Sequence, residues 1–124
     1  MKKLLLIGCV FTALCHAKDA RTVRMTDKKM EPVFVPVGKT TILSFTTRPT
    51  KVILGNQGLF GIEYVEQDLA VSPLKVGAHS NLFVYLEGRR FGFDLRTASS
   101  DGGDEIILVR DAEERKLKVK VRSE

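Results

Sequence analysis

Apolar and polar side chains alternate along short stretches of the chain, and the clearest case lies at residues 90–96. Every second residue there is apolar, at Phe91, Phe93 and Leu95. The positions between them include the charged residues Arg90, Asp94 and Arg96. Successive side chains of an extended strand point to opposite faces, so this pattern predicts a strand with one buried and one solvated face.

Eight further stretches are rich in β-branched, aliphatic and aromatic residues, and most are bounded by turn-forming residues. They lie at 33–37, 39–47, 51–54, 60–65, 69–74, 82–86, 106–109 and 116–122. Short strands at this spacing, without a sustained helical period, are typical of a β-sandwich or barrel. We therefore predict an all-β fold, an antiparallel β-sandwich of about eight or nine short strands.

Two connections follow from glycine-bearing segments. Glu87-Gly88-Arg89 separates two strand patterns and predicts a hairpin, in which Gly88 takes a positive φ. Residues 97–104 read TASSDGGD, which is small, polar and rich in glycine. We expect this segment to be flexible and to carry the chain from one sheet to the other.

The first residues predict export. Lys2 and Lys3 precede an apolar run at 4–14, and Cys15-His16-Ala17 resembles a signal-peptidase site. This predicts a signal peptide at 1–17, a single β-sandwich domain at 18–124, and a periplasmic location. The run is shorter than the roughly 20 residues that a transmembrane helix needs.

A lipoprotein signal is the competing interpretation of the same residues. Leu6-Ile7-Gly8-Cys9 has the residue types of a lipidation site, with Cys9 as the modified residue. Only Leu4 to Gly8 would separate Lys3 from Cys9, whereas apolar regions of signal peptides run roughly 7–15 residues. Length therefore favours ordinary secretion.

Composition narrows the possible chemistry. Cleavage after Ala17 removes both cysteines, so the exported chain has neither disulfides nor cysteine metal sites. It also leaves 18 basic residues against 15 acidic ones, a mild excess that does not indicate nucleic-acid binding. We expect no cofactor.

Candidate catalytic residues are scarce. His79 is the only histidine outside the signal, and beside Gly77 and Ser80 it is expected to be a solvated loop residue. No familiar nucleophile, zinc or phosphate-binding motif occurs in the sequence. We therefore predict that the protein is not an enzyme and that it has no metal site.

The stretch at 116–122 alternates apolar residues with basic ones. Leu117, Val119 and Val121 are apolar, and the positions between them hold the basic row Lys116, Lys118, Lys120 and Arg122. On an edge strand such a row faces solvent and discourages edge-to-edge pairing. The alternative is that the row binds an acidic protein partner or an anionic lipid surface, with peripheral association to the outer membrane.

Residues 69–110 resemble the N-terminal domain of the CagX/TrbG family, which are core-complex proteins of type IV secretion and conjugation machines. The segments that carry the resemblance are Val71-Ser72-Pro73, Ser80-Asn81-Leu82, Phe83-Val84-Tyr85, Arg89 or Arg90, Phe91-Gly92-Phe93-Asp94-Leu95 and Leu108-Val109-Arg110. Two departures stand against a full match. Phe60 takes the place of a frequent Trp, and the family's second β-domain is expected to be missing.

The resemblance implies a periplasmic, non-enzymatic interaction module that binds other proteins of an envelope-spanning secretion assembly. Arg89 and Arg90 then join the basic row as candidate partner-binding residues. The alternative function is a free periplasmic ligand-binding or inhibitor protein, with segment 97–104 as its first candidate binding loop. A small hydrolase is a third and weaker alternative.

Overall fold

The computed structural model describes residues 20–113, which form nine strands and contain no helix long and apolar enough to cross a membrane. The predicted signal peptide and the predicted strand at 116–122 lie outside the described residues. The strands are β1 (Arg21–Met25), β2 (Met30–Pro36), β3 (Thr41–Ser44), β4 (Lys51–Leu54), β5 (Phe60–Val65), β6 (Asp68–Pro73), β7 (His79–Leu86), β8 (Arg89–Ala98) and β9 (Ile106–Asp111).

The strands form two sheets that face each other across one core, which confirms the predicted all-β sandwich. The five-stranded sheet has the order β1-β9-β3-β6-β5, and the four-stranded sheet has the order β2-β8-β7-β4. Both sheets are mixed, so the prediction of antiparallel pairing holds only in part. β1 pairs in parallel with β9, β9 with β3, and β2 with β8.

The parallel pairs arise from the way in which the chain changes sheets. β1 and β2 are consecutive but belong to different sheets, and so do β8 and β9. Strands that are not joined by a tight hairpin have no local reason to run in opposite directions. Antiparallel pairing between consecutive strands occurs at the hairpins β5–β6 and β7–β8.

The turn between β7 and β8 is the predicted hairpin. Leu86 lies opposite Arg89, so Glu87 and Gly88 form a two-residue loop. Their φ angles are +43° and +71°, the left-handed region that two-residue hairpins of the primed type require. The prediction of a positive φ at Gly88 is confirmed, and Glu87 shares that conformation.

The alternation at 90–96 determines which side chains enter the core, as predicted. Phe91, Phe93 and Leu95 are buried, whereas Arg90 and Arg96 are exposed. The rings of Phe93 and Phe45 meet edge to face, with centroids 6.2 Å apart and an interplanar angle of 81°. This contact joins the four-stranded sheet to the chain just after β3.

Asp104 fixes the segment that crosses from β8 to β9. Its carboxylate accepts two hydrogen bonds from Arg21 of β1, at 2.8 and 3.2 Å, and one from the Phe34 amide of β2, at 2.9 Å. Its own amide donates to the Phe34 carbonyl at 2.7 Å, and its carbonyl accepts a bond from the Thr41 hydroxyl of β3. One residue therefore ties together strands of both sheets.

Glu31 of β2 completes this group of charges, which we call the Asp104 clamp (Arg21, Lys29, Glu31 and Asp104). Arg21 donates to Glu31 at 2.9 Å, and the Lys29 ammonium lies 3.1 Å from the same carboxylate. Burial acts to raise the pKa of Glu31, but the hydrogen bonds from Arg21 and Lys29 outweigh it and hold that pKa below its usual value.

Glycine is required at position 103, where the chain crosses from β8 to β9. Its φ is +90°, and a Cβ there would lie 2.7 Å from the Phe34 carbonyl oxygen and 2.8 Å from Pro36 Cγ. The end of the segment at 97–104 is thus packed against β2, while its crossing from one sheet to the other is as predicted.

Phe93→Ala is expected to lower the free energy of unfolding by roughly 3–5 kcal/mol, because it empties a fully buried position. Arg90→Ala, on the opposite face of the same strand, is expected to cost less than about 0.5 kcal/mol. Chemical denaturation of both variants measures the difference. A tolerant Phe93 together with a fragile Arg90 would contradict the observed phase of β8.

Glu31→Gln is expected to lower the free energy of unfolding by about 1 kcal/mol near neutral pH, because it weakens the bonds from Arg21 and Lys29. A carboxylate with a depressed folded-state pKa stabilises the fold above its unfolded pKa of about 4.3, and this contribution is lost as the pH falls. The gap between wild type and variant should therefore close below about pH 4. Glu105→Gln, at an exposed carboxylate, is the control and should show no comparable gap.

Candidate interaction surface

The outward side chains of the four-stranded sheet form rows that cross all its strands, and we call this surface the outer face. The pairing register places Met30, Gly92, Phe83 and Ile53 in one line across β2, β8, β7 and β4. Met30 is 46% exposed and Ile53 is 43% exposed. An apolar row therefore runs across a surface that faces solvent.

Gly92 allows the side chains of Met30 and Phe83 to approach each other at the centre of this row. The Met30 sulfur occupies the space that a Cβ at position 92 would need, and the Phe83 ring borders the same space at 3.1 Å. A thioether over a glycine, next to an aromatic ring, forms a continuous and polarisable surface. The row thus has no gap at the strand that lacks a side chain.

Cations lie on one side of the apolar row. Arg90 of β8 is opposite Tyr85 of β7, which in turn is opposite Lys51 of β4. Arg90 and Lys51 are exposed, and Tyr85 between them is half-buried. Arg90, one of the predicted partner-binding residues, therefore lies on the outer face.

A hydrogen-bonded group of three polar residues, His79, Asp94 and Arg96, lies on the other side of the row. His79 Nε2 is 2.5 Å from Asp94 Oδ1, and Arg96 donates to Asp94 Oδ2 at 3.2 and 3.3 Å. Burial acts to raise the pKa of Asp94, but the bonds from His79 and Arg96 outweigh it and lower that pKa. His79 begins β7, so the expectation of a loop position was wrong, although its side chain is exposed as expected.

The His79–Asp94 pair has no hydroxyl nucleophile in the adjacent position. Ser80 points into the sandwich, where its Oγ accepts a bond from the Asn56 amide at 2.9 Å and donates to the Asn81 carbonyl at 3.1 Å. Neighbouring residues on a strand point to opposite faces, so the Ser80 hydroxyl and the His79 ring are on different sides of the sheet. An open depression of about 480 Å³ lies over this region.

Arg89, the other candidate on β8, lies on the opposite side of the strand from Arg90. It binds Asp111 at 2.7 and 3.1 Å, Asp27 at 2.9 Å and Glu113 at 3.1 Å. Its guanidinium also sits 5.8 Å from the centroid of the Phe91 ring. The hydrogen bond to Asp111 raises the pKa of Arg89 against the opposing effect of burial.

The structure thus separates the predicted site residues. Arg90 is exposed on the outer face, and Arg89 is held within the molecule by three carboxylates. The basic row at 116–122 lies outside the described residues. Among residues 20–113, no group of three His, Cys, Asp or Glu side chains is arranged to hold a metal ion.

The apolar row itself was not predicted from the sequence. Its signal was present, because residues 52–54 and 82–86 are apolar or aromatic in both phases of the strand, with Ile53 and Phe83 at positions that face outward. A continuous apolar run is also typical of a central strand with two buried faces. Which face is covered depends on the layers around the sheet, and local pattern does not show that.

Arg89→Ala is expected to lower the free energy of unfolding by roughly 1–3 kcal/mol, because it leaves Asp111 largely buried without its partner. Arg90→Ala is the matched control, one residue away and of the same chemistry, and should change stability little. Urea denaturation compares them. Equal stability of the two variants would contradict the role of the Arg89 ion pairs.

Neither the protein-family models nor the curated proteins with which the chain was compared match it. The resemblance to the CagX/TrbG family therefore rests on the residue pattern given above. Of the residues in that pattern, Asn81 and Arg90 lie on the outer face, while Phe91, Phe93 and Leu95 lie in the core.

Proposed function

We propose that the protein is a non-enzymatic interaction module of an envelope-spanning assembly of the type IV secretion or conjugation kind, and that it binds its partner through the outer face. The apolar row of Met30, Phe83 and Ile53 carries this proposal. The outward side of a sandwich sheet is ordinarily polar, and exposed apolar patches rimmed by polar residues mark interaction sites.

The residue types of the outer face fit a protein partner. Aromatic residues, Met and Arg are enriched in the centres of protein–protein interfaces, and Lys is more common at their rims. Phe83, Met30 and Tyr85 supply the first kind of side chain, and Arg90 lies next to them. We infer that a partner buries the apolar row and surrounds it with polar contacts.

The charge of the outer face indicates what kind of surface the partner presents. The outer face carries Lys51, Arg90 and Arg96, and Asp94 is bound by Arg96 and His79. A surface with this excess of positive charge attracts an acidic surface and accelerates association with it. The partner is therefore expected to carry an apolar patch with an acidic rim.

A binding role also agrees with the arrangement around His79. The imidazole is 60% exposed and pairs with Asp94, while the nearest serine in sequence faces the core. General acid–base and nucleophilic chemistry need a base within hydrogen-bond reach of a nucleophile or a bound substrate. Nothing in this geometry favours the hydrolase alternative.

The cellular setting comes from the sequence. The predicted signal peptide supports a periplasmic location in this proposal, and the resemblance to the CagX/TrbG domain supports a role in a secretion or conjugation machine. The alternative binding loop at 97–104 finds no support in its geometry, because Gly103 packs against Pro36 and Asp104 is bound to Arg21 and Phe34. The outer face is therefore the better candidate for the binding surface.

Affinity capture from envelope extracts tests this function. The tagged wild type is expected to retain proteins of a secretion assembly, identified by mass spectrometry. A variant with Lys51→Glu and Arg90→Glu, and another with Met30→Ser and Ile53→Ser, should each reduce capture at least about tenfold. Arg24→Glu, an exposed charge reversal on the five-stranded sheet, is the matched control and should leave capture intact.

Two results would contradict the proposal. One is capture of the same proteins, in the same amount, by the wild type and both outer-face variants. The other is a captured set that depends on the outer face but contains no component of a secretion machine. Unfolding curves of all variants establish that a loss of capture does not reflect a loss of fold.

A further inference from the structure

The two open sides of the sandwich differ. On the side of β1 and β2, the Asp104 clamp joins the sheets with charged hydrogen bonds. On the side of β4 and β5, a groove of about 250 Å³ opens between the sheets. The groove is lined by Val52, Leu54, Gln57, Phe60, Ile62 and Tyr64. We call it the β4–β5 groove.

The groove consists of core positions that are not fully covered. Phe60, Ile62 and Tyr64 alternate along β5, and their exposure increases from Phe60, which is 2% exposed, to Tyr64, which is 54% exposed. Val52, Leu54 and Ile62 pack against the buried core while remaining partly accessible. Among residues 20–113, β4 and β5 are both edge strands, so each has a backbone edge without a neighbouring strand there.

Acidic residues lie on the outward face of β5 and in the turn that follows it. Glu63 points outward from β5, and Glu66 and Asp68 follow in the turn and at the start of β6. Within residues 20–113 none of these three carboxylates takes part in a salt bridge. No lysine or arginine occurs between Lys51 and Lys75, so the edge at β5 carries an excess of negative charge.

We propose that the β4–β5 groove binds the C-terminal segment 116–122 of a second copy of this chain, which adds beside β5 as a further strand. The groove favours a strand with apolar side chains at every second position, and the acidic residues at the β5 edge favour cations at the others. Segment 116–122 meets both requirements. This interface is separate from the outer face and does not depend on the proposed function.

The two faces of such a strand match the two faces of β5. With Leu117, Val119 and Val121 directed into the groove, the basic row points outward. Glu63 also points outward from β5, so lysines of the added strand become its cross-strand neighbours. Backbone pairing, apolar burial and charge attraction then act together.

The reach of the chain favours a second copy as the donor. Glu113 lies beside Arg89 and Asp27, near the end of β9 and close to β1. The open flank of β5 is four strand spacings from β9, or roughly 19 Å. The four residues from Glu113 to Leu117 span at most about 14 Å. A strand that begins beside β5 at Leu117 is therefore out of reach of Glu113 in the same molecule.

Site-directed disulfide formation tests which molecule supplies the strand that binds in the groove. In the full chain, Cys9 and Cys15 are first replaced by Ser. One sample of this chain then carries Ile62→Cys, and a second sample with a different tag carries Val119→Cys. On mixing under oxidising conditions, a disulfide-linked heterodimer is expected. Thr22→Cys, on the exposed face of β1, replaces Ile62→Cys as the control and should give none.

A chain carrying both Ile62→Cys and Val119→Cys tests whether the groove is instead occupied by segment 116–122 of the same molecule. An intramolecular disulfide in a monomer, without heterodimer on mixing, would overturn the proposal and assign the groove to the chain's own segment. Absence of both products would overturn it as well. The disulfide partners are identified by mass spectrometry of the digested protein.

Charge substitutions provide a second and independent test by analytical ultracentrifugation. Lys118→Glu with Lys120→Glu is expected to raise the dissociation constant of the oligomer roughly tenfold and to weaken its dependence on salt. Adding Glu63→Lys to that variant should restore part of the affinity. A wild type that stays monomeric at all concentrations, or a dissociation constant that these substitutions leave unchanged, would overturn the proposal.

Discussion

The position of Asp104 is the constraint on which the arrangement of the strands depends. Consecutive strands β8 and β9 lie in different sheets, so the segment between them must hold the sheets in register. Asp104 does this by binding Arg21 of β1 and the backbone of Phe34 in β2. Hydrogen bonds in which both partners are charged are the strongest that a half-exposed site offers. The parallel pairs β1–β9 and β2–β8 meet at this residue.

The Asp104 clamp also makes the sandwich asymmetric. It closes the side of β1 and β2 with polar contacts, whereas the side of β4 and β5 leaves apolar core positions accessible. A sandwich has two such sides, because its sheets do not join into a barrel. One side is thus sealed by the chain's own charges, and the other offers a surface and two backbone edges for binding.

Two adjacent arginines illustrate how a strand directs neighbouring side chains to different surroundings. Arg89 turns to Asp27, Asp111 and Glu113 and holds the end of β9 near the β7–β8 hairpin. Arg90 points to the outer face beside Tyr85. Residue type does not distinguish them, since both are basic and both follow the same turn. The phase of the strand does, because a one-residue step reverses the face.

The local sequence pattern was sufficient to predict most of the strands of this protein. The periods and turn residues of the sequence predicted eight of the nine strands, the β7–β8 hairpin and the buried row of Phe91, Phe93 and Leu95. β1 was missed because Val23 and Met25 are the only apolar residues among its five, too few for a recognisable alternation. These features are local, because the period of side chains and the φ of a turn residue depend on neighbours along the chain.

Tertiary structure alone decided which strands pair and which surfaces stay open. The parallel direction of β2 and β8, the ion pairs of Arg89 and the exposure of Met30 and Ile53 all involve residues distant in sequence. The alternation of a strand shows that one face is buried, but it does not name the neighbouring strand or the layer that covers it. Such information lies in contacts between segments, because burial is a property of the assembled layers and not of any one strand.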